Sequence, residues 1–179
     1  KLDQDAAVLL KDIAGEGLYR VRCELDKLVL FVAAGHIVTG QDAVAVQGVE
    51  TGASVFDLAG AIAARNPSRA LTIVEKNIEA GEAPLRILGA LLWQYRRMWK
   101  AKDSLARGVN ESKVVRLLGL SPYRQAEFFG LVKRFSLAHF SQAWKIFADT
   151  DSALKGGAAG SPRRVFHSLI FSLCQTVKT

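Results

Sequence analysis

The sequence predicts an all-α fold in two pieces, and three observations favour this prediction. Apolar residues recur with the 3.6-residue period of a helix in almost every segment, while the alternation of a half-buried strand is almost absent. Hydrophobic residues make up 50% of the 179 positions and charged residues 23%, as in chains that bury a core. The balance of Lys and Arg against Asp and Glu changes from 5 against 8 over 1–50 to 19 against 9 over 51–179. We therefore expect a small first domain over 1–50 and a larger second domain over 51–179.

The first piece is predicted to contain three helices and one short extended segment. Apolar positions predict helices over 6–13 and 18–32, each followed by a glycine, and an extended segment at 37–38. Thr39 with Asp42 three positions later is typical of a capping pair and predicts a third, short helix. The apolar face of the second helix is predicted to comprise Leu18, Val21, Leu25, Leu28, Val29 and Val32.

The second piece is predicted to be a run of helices. Ser54 with Asp57 predicts another capping pair, and Pro67 and Pro84 lie where proline favours a helix start. The predicted helices span 55–65, 67–80, 84–107, 111–118, 123–135, 137–155 and 163–177, with a flexible connection over 156–162. On the longest helix the side chains expected to face the core are Ile87, Leu88, Leu91, Tyr95 and Met98. Those expected to lie largely on other faces are Arg86, Arg97, Lys100 and Lys102.

Motifs of several enzyme classes are absent from the sequence. There is no GxxxxGK[ST] phosphate loop, no HExxH, no GxSxG and no EF-hand loop, so no residue is predicted to be catalytic or to hold a metal or cofactor. His36, His139 and His167 occur singly and are expected to be packed or surface residues. Cys23 and Cys174 lie 151 positions apart, which indicates neither a disulfide framework nor a zinc site and fits a reducing cytoplasm.

Neither a membrane span nor a targeting segment is predicted. No stretch approaches the roughly 18 uninterrupted apolar residues that a spanning helix requires. The first residues, Lys1-Leu2-Asp3, include no initiator Met and do not begin a signal peptide. We expect this start to be a point inside a longer protein.

Basic residues are concentrated in the middle of the chain. Positions 86–134 contain 11 Lys or Arg and only 3 Asp or Glu. A positive field of this kind attracts polyanions, of which nucleic acid is the commonest. The alternative is a solvated basic face that serves only solubility.

The segment Leu91–Lys100 interleaves aromatic residues with cations on one helix. This pattern predicts a surface that faces a polyanion or another subunit, and Arg96, Arg97 and Lys100 are its candidate DNA contacts. The alternative is that Tyr95 and one Trp belong to the core, while Arg96 or Arg97 is merely solvated.

Tyr123 and Arg124 open a helix after a turn that contains glycine. An aromatic ring beside Arg at a helix start can stack on an unpaired base while free backbone amides approach a phosphate. The alternative is that Tyr123 packs against the preceding helix. Segment 112–133 also has the outline of a helix-turn-helix, although Gln125 lies where that motif usually has an apolar residue.

Several short segments occur in an order and spacing that one known family shares. They are Gly17–Leu28, Ile37-Val38-Thr39 followed by Asp-Ala-Val, Ser54–Leu58, Ala70-Leu71, Gly81–Pro84, Gln94–Arg96, Pro122–Arg124, Asp151–Gly156 and Leu169–Cys174. Because they lie in register over nearly the whole chain, the chain resembles the bacterial DNA polymerase III delta subunit, the clamp-loader arm that opens the sliding clamp.

The resemblance implies an AAA+ lid-type helical domain over 1–50 and, over 51–179, a clamp-loader collar that packs against other loader subunits in a ring. It implies a subunit that is not an ATPase and helps to load the sliding clamp onto primed DNA. Clamp contact would belong to an N-terminal domain that this chain lacks, and the collar would contact primer–template DNA. The chain itself would be a non-catalytic, cytoplasmic part of the DNA polymerase III holoenzyme, a DNA-directed DNA polymerase, with no cofactor and no membrane contact.

Two positions depart from the family's pattern. Cys23 stands where the family usually has Asn, and Ala158 stands where some members have an aromatic residue that approaches template DNA. Tyr123 keeps the aromatic residue at the other position that the family offers to single-stranded template. The alternative function is a free-standing DNA-binding regulator that uses segment 112–133; a small-molecule enzyme has no supporting group of residues.

Overall fold

The computed structural model of the chain is all-α, which confirms the predicted fold class. It describes residues 1–4, 6–7, 10–11, 17–32, 35–39, 42, 55–120, 125–157 and 161–177. The helices are α1 (Leu18–Phe31), α2 (Val55–Ala63), α3 (Pro67–Glu79), α4 (Pro84–Ala106), α5 (Glu111–Leu118), α6 (Gln125–Arg134), α7 (Leu137–Ser152) and α8 (Pro162–Thr176). Helical backbone also occurs at residue 4 and, inside the first helix that the sequence predicts, at residues 6–7 and 10–11.

The chain divides into two compact units. Unit 1 consists of Lys1–Thr51 together with Asn110–Ala126, and unit 2 consists of Gly52–Val109 together with Glu127–Thr179. The chain therefore crosses between the units three times. Nothing in the sequence pattern indicated that 110–126 groups with the N-terminal residues.

The core of unit 1 is a small apolar cluster. Its buried members are Ala6, Leu10, Leu28 and Val38, and the half-buried side chains packed against them are Val21, Leu25 and Val32. The apolar face predicted for α1 is therefore correct at four positions and wrong at Leu18 and Val29, which are 86% and 69% exposed. The physical reason is angular: these two side chains lie about 50° and 70° around the helix from the centre of the stripe formed by the other four.

The predicted extended segment at 37–38 pairs with the first residues of the chain. Val38 forms a parallel bridge with Leu2, in which the Asp3 amide donates to the Val38 carbonyl at 2.9 Å and the Val38 amide donates to the Lys1 carbonyl at 2.8 Å. Sequence reasoning predicted the extended backbone but not its partner. The pairing fixes the chain start to the unit 1 cluster, since Val38 is one of its buried members.

The capping pair predicted at Thr39 and Asp42 is confirmed. The Thr39 amide and hydroxyl both donate to Asp42 Oδ2, at 2.8 and 2.7 Å, and the Asp42 amide donates to Thr39 Oγ1 at 3.3 Å. These hydrogen bonds lower the pKa of the Asp42 carboxyl, the one from the Thr39 backbone amide contributing most. The rest of the third predicted helix, and Ser54 of the second predicted capping pair, lie outside the described residues.

Unit 2 is a helical bundle around an aromatic and aliphatic core. Helix α8 packs against α7, α3 and α2, and α4 packs against α7, α2 and α3. The largest fully buried side chains of this core are Leu58, Ile62, Leu91, Tyr95, Met98, Phe128, Phe135, Phe140, Phe166, Leu169 and Ile170. Helix α6 joins the bundle through Leu131, whose Cδ2 would lie 3.8 Å from a Cβ built on Gly60 of α2.

Local side-chain chemistry explains where the helices of the second piece begin and end. Asn66, Asn110 and Ser136 cap α3, α5 and α7 by accepting the backbone amide three residues later, at 2.9, 2.9 and 3.1 Å. Gly119 ends α5 in the left-handed conformation at φ 59°. Helix α7 ends at Ser152 and is followed directly by a short π-type turn, Ala153–Gly157.

Candidate nucleic-acid and subunit interface

Helix α4 carries most of the candidate contacts and also much of the unit 2 core. Proline at its first position fits the helix start that the sequence predicted. The five side chains expected to face the core, Ile87, Leu88, Leu91, Tyr95 and Met98, are all buried. A partner can therefore contact only those α4 residues that lie outside this buried face.

Tyr95 is a core residue. Its side chain is fully buried, and its ring packs against Phe135, Phe140 and Phe147, with the Phe147 ring edge-on at 5.0 Å. Burial raises the pKa of the phenol well above its ordinary value, so the hydroxyl stays protonated. The interpretation that places Tyr95 in the core is therefore confirmed.

A buried hydrogen-bond chain connects α4, α7 and α8. Thr176 Oγ1 donates to the Leu173 carbonyl at 2.8 Å and lies 2.8 Å from His139 Nδ1, while His139 Nε2 lies 3.4 Å from the Tyr95 hydroxyl. Because Thr176 has a single hydroxyl proton, Nδ1 donates to Thr176 and Nε2 accepts from Tyr95. Burial lowers the pKa of His139 to about 4. The neutral imidazole is thus a structural link between three helices, as expected for a singly occurring histidine.

Arg97 is buried, and the expectation that it lies on another face of α4 is wrong. Its side chain is only 7% exposed, with the guanidinium carbon 4.4 Å above the Trp93 ring and 5.9 Å from the Phe128 ring. Arginine stacks on aromatic faces in this way because its planar cation is weakly hydrated. The guanidinium therefore helps to hold α6 against α4, a role that the cationic residue type did not indicate.

Arg96 and Lys100, the other two candidate DNA contacts on α4, are exposed. No ion pair is recorded for either of them within the part of the chain that the structure describes. Two neighbouring cations on the helix do have partners: Arg86 pairs with Glu82 at 3.2 Å, and half-buried Lys102 donates to the Val132 carbonyl at 3.2 Å. Arg96 and Lys100 are thus two exposed positive charges one helical turn apart.

The exposed face of α4 and one face of α7 form an open groove of about 560 Å³ in unit 2. Its lining residues are Leu85, Leu88, Gly89, Leu92, Arg96, Trp99, Lys100, Trp144, Phe147, Ala148 and Asp151. At one end Trp99 and Trp144 pack edge to face, with ring centroids 6.1 Å apart. Sequence reasoning missed this groove, although Trp144, Phe147, Ala148 and Asp151 have the i, i+3, i+4, i+7 spacing of one helix face.

Tyr123 and Arg124 lie outside the described residues. The helices on either side of them, α5 and α6, match the predicted outline of segment 112–133. The stacking role of Tyr123, the backbone contact of Arg124 and the helix-turn-helix interpretation all stay predictions.

The described residues offer neither a metal site nor a membrane span. They contain no group of three or more His, Cys, Asp or Glu side chains that could hold a metal ion. No helix in the same ranges is long and apolar enough to cross a membrane.

Comparisons with known proteins point to one family. The family model described as "DNA polymerase III delta subunit, C-terminal domain" matches residues 52–173. Among solved structures, the chain is similar to the Bacillus subtilis DNA clamp loader delta protein (YqeN), with a TM-score of 0.64 and 18% sequence identity. The match covers 98% of this chain and 51% of that one, so this chain spans about half of its length. At this identity the likeness concerns the fold alone. No curated protein sequence matches the chain.

Proposed function

Because the chain belongs to the DNA polymerase III delta subunit family through its C-terminal domain, we propose that it is the subunit-assembly part of a bacterial clamp loader. The observation that carries the proposal is the extent of the family match, since residues 52–173 include helices α2 to α7 and most of α8. A fold match over 98% of the chain supports the same assignment independently.

In this proposal the second piece, 51–179, is the collar that packs against sister subunits, and 1–50 is a lid-type helical domain. The whole protein acts without hydrolysing ATP and helps to load the sliding clamp onto primed DNA in the cytoplasm. The absence of a phosphate loop from the sequence supports a non-ATPase role, because a Walker-type NTPase needs that loop to cradle its nucleotide.

The DNA part of the proposal concerns primer–template contact. The charge of unit 2 supports it: the segments 52–109 and 127–179 hold 16 Lys or Arg against 8 Asp or Glu. Such a field attracts a phosphate backbone without reading its sequence. Tyr123 and Arg124 are proposed as direct contacts, the ring stacking on an unpaired template base and the guanidinium approaching the backbone. Arg96 and Lys100 contribute to the positive field.

Reconstitution tests the assembly proposal. The full-length protein is mixed with the purified clamp-loader subunits of the same organism, and the complex is measured by size-exclusion chromatography with light scattering. We expect a stoichiometric complex that retains the protein. A protein that stays outside the complex, dimerises and prefers particular duplex sequences would instead be the DNA-binding regulator, and the proposal would fail.

Substitution of Tyr123 tests the DNA contact. Tyr123→Ala is expected to weaken primer–template binding by up to about two orders of magnitude without changing sequence preference, because an aromatic–base stack contributes roughly 1–3 kcal/mol. Arg124→Ala is expected to lower the salt slope by somewhat less than one unit, as one lost phosphate contact predicts. The measurement is fluorescence anisotropy of labelled DNA with the assembled loader across a salt series.

The matched control is Tyr19→Ala, which removes a tyrosine that is 79% exposed on α1 and should leave binding unchanged. Subunit assembly and helical content must be intact in every variant. If Tyr123→Ala binds DNA as the wild type does at every salt concentration, Tyr123 is a packing residue.

A further inference from the structure

The groove between α4 and α7 has the dimensions of a helix-binding site. The lining residues of α4 run from Leu85 to Lys100, four turns along one face, or about 22 Å. Those of α7 run from Trp144 to Asp151, about two turns. The two helices lie antiparallel here, since Tyr95 contacts Phe147 whereas Trp99, one turn later, contacts the earlier Trp144. Two helices that lie side by side in this way leave a straight groove that a third helix can occupy.

Small residues on both helices line part of the groove. Gly89 lies inside α4, where glycine destabilises a helix, and a Cβ built on it would meet no atom within 4 Å. Ala148 on α7 is exposed. At each of these two positions the backbone of a partner helix could approach closely, which a larger side chain would prevent.

The rest of the groove presents apolar surface to solvent. Leu88 and Phe147 form a buried floor, while Leu85 and Trp99 are 44% and 39% exposed. Exposed tryptophan and leucine beside a buried apolar floor are typical of the centre of a protein–protein contact.

The rim of the groove carries a net positive charge. Arg96 and Lys100 lie on the α4 side, with no ion pair recorded for either in the described ranges. The single acidic group of the lining, Asp151 on the α7 side, is neutralised by Lys155 at 2.7 Å. A partner that buries its apolar residues in this groove would therefore gain from carboxylates opposite Arg96 and Lys100.

The shape of the groove distinguishes a helix from single-stranded DNA. Single-stranded DNA needs a series of aromatic faces on which successive bases stack, but among the described residues the only aromatic side chains near the surface of this groove are Trp99 and Trp144, which lie together at one end. Phe147 is buried in the floor, and the remaining apolar side chains of the lining are aliphatic. The apolar groove with a basic rim thus fits side chains better than bases.

We propose that the α4–α7 groove is a docking site for an acidic amphipathic helix of a partner clamp-loader subunit. The proposal rests on the assembly function proposed above and assigns a site and a partner chemistry to it. The partner places apolar side chains against Leu88 and Trp99 and carboxylates beside Arg96 and Lys100.

Binding of the full-length protein to the purified remaining loader subunits of the same organism tests the proposal. Ala148→Trp fills the groove, and the double variant Arg96→Glu with Lys100→Glu reverses the rim charge. Each is expected to weaken binding about tenfold or more, because Ala148→Trp fills the space of the partner helix and the double variant sets carboxylates against those of the partner. The charge-reversal effect should shrink as salt is added. The matched control is Lys145→Glu, an exposed cation on α7 outside the groove, which should remain within about threefold of wild type.

Photo-crosslinking places the partner on the groove without perturbing charge. Benzoylphenylalanine at Ala148 is expected to crosslink to a loader subunit, whereas the same group at exposed Ala138, also on α7, is not. Circular dichroism establishes that each variant is folded.

The outcomes separate this proposal from the one on which it rests. If the wild-type protein does not bind the loader subunits, the assembly function fails and the groove proposal fails with it. If the wild type binds but the groove variants bind equally well and Ala148 does not crosslink, only the groove proposal is overturned. It is likewise overturned if the variants weaken primer–template DNA binding alone, or if they abolish self-association of the protein, since a nucleic acid or a second copy would then be the occupant.

Discussion

Gln94 is buried on α4, yet neither its side-chain oxygen nor its nitrogen has a hydrogen-bond partner in the part of the chain that the structure describes. Leaving a buried amide without partners costs about 1–3 kcal/mol. Gln94→Met keeps the approximate shape and removes the polar atoms, so we expect the free energy of unfolding to rise by about 1–2 kcal/mol. Urea denaturation of the purified chain measures it.

The control for Gln94→Met is Gln142→Met, at an exposed position of α7, which should change stability by less than about 0.5 kcal/mol. A loss of stability in Gln94→Met would contradict the prediction and mean that the amide is satisfied, for example by a buried water molecule.

His139 predicts a pH dependence of stability with a definite sign. Its pKa is about 4 in the folded chain because of burial, against an ordinary value of 6.5, so the unfolded chain binds the proton first as pH falls. The stability that this group contributes is therefore complete above about pH 6.5 and is lost between 6.5 and 4, at up to about 1.4 kcal/mol per pH unit.

The variant His139→Gln should lack this component of the pH dependence. Urea denaturation at a series of pH values measures it as the difference between wild type and variant. The matched control is His167→Gln, on the outer side of α8, which should retain the wild-type loss. If the free energy of unfolding falls equally with pH in wild type and His139→Gln, the imidazole does not cause the loss of stability between pH 6.5 and 4.

Burial of individual polar residues was only partly predictable from sequence. Gln94 lies three positions after Leu91 and four before Met98, so its inward position was available from helical spacing. The buried position of Arg97 could not be predicted from helical spacing, because it depends on a contact with Phe128 of another helix. Residue type alone favours an exposed cation, and only the packing of α6 against α4 provides the aromatic surface that covers it.

At the level of elements, the sequence predicted most helix boundaries because local chemistry determines them. Proline starts α3 and α4, asparagine caps α3 and α5, and both signals act within one turn. The groove between α4 and α7 was not predicted, because it depends on which helices lie side by side. Periodicity identifies a helix face but not its neighbour.

Gly89 on α4 should be replaceable with a gain in stability. It lies inside a helix with open space where a Cβ would be, so Gly89→Ala is expected to raise the free energy of unfolding by about 0.5–1 kcal/mol. Gly119→Ala is the opposite case: its φ of 59° disfavours any side chain, and we expect a loss of about 1 kcal/mol. Urea denaturation of both variants measures the pair, and a loss in Gly89→Ala would contradict an open position.

For the whole molecule, limited proteolysis tests the organisation of the chain. Glycine-containing connections at 50–54 and 156–161 are expected to be cut first, since small residues between helices favour protease access. The first contains the crossing from unit 1 to unit 2, between Thr51 and Gly52. Mass spectrometry of the early products identifies the cuts, and early cleavage inside 84–107 would contradict the expectation.

The interleaving of the two units has a consequence for synthesis on the ribosome. Unit 1 needs Asn110–Ala126 as well as Lys1–Thr51, and the 58 residues of Gly52–Val109 are made between them. At about 5–20 residues per second, translation of that stretch takes roughly 3–12 s. During this interval the nascent chain contains the unit 1 cluster residues Ala6, Leu10, Leu28 and Val38, but the segment 110–126 of the same unit has not yet been made. The N-terminal unit, although made first, therefore cannot be completed before much of the second unit has emerged.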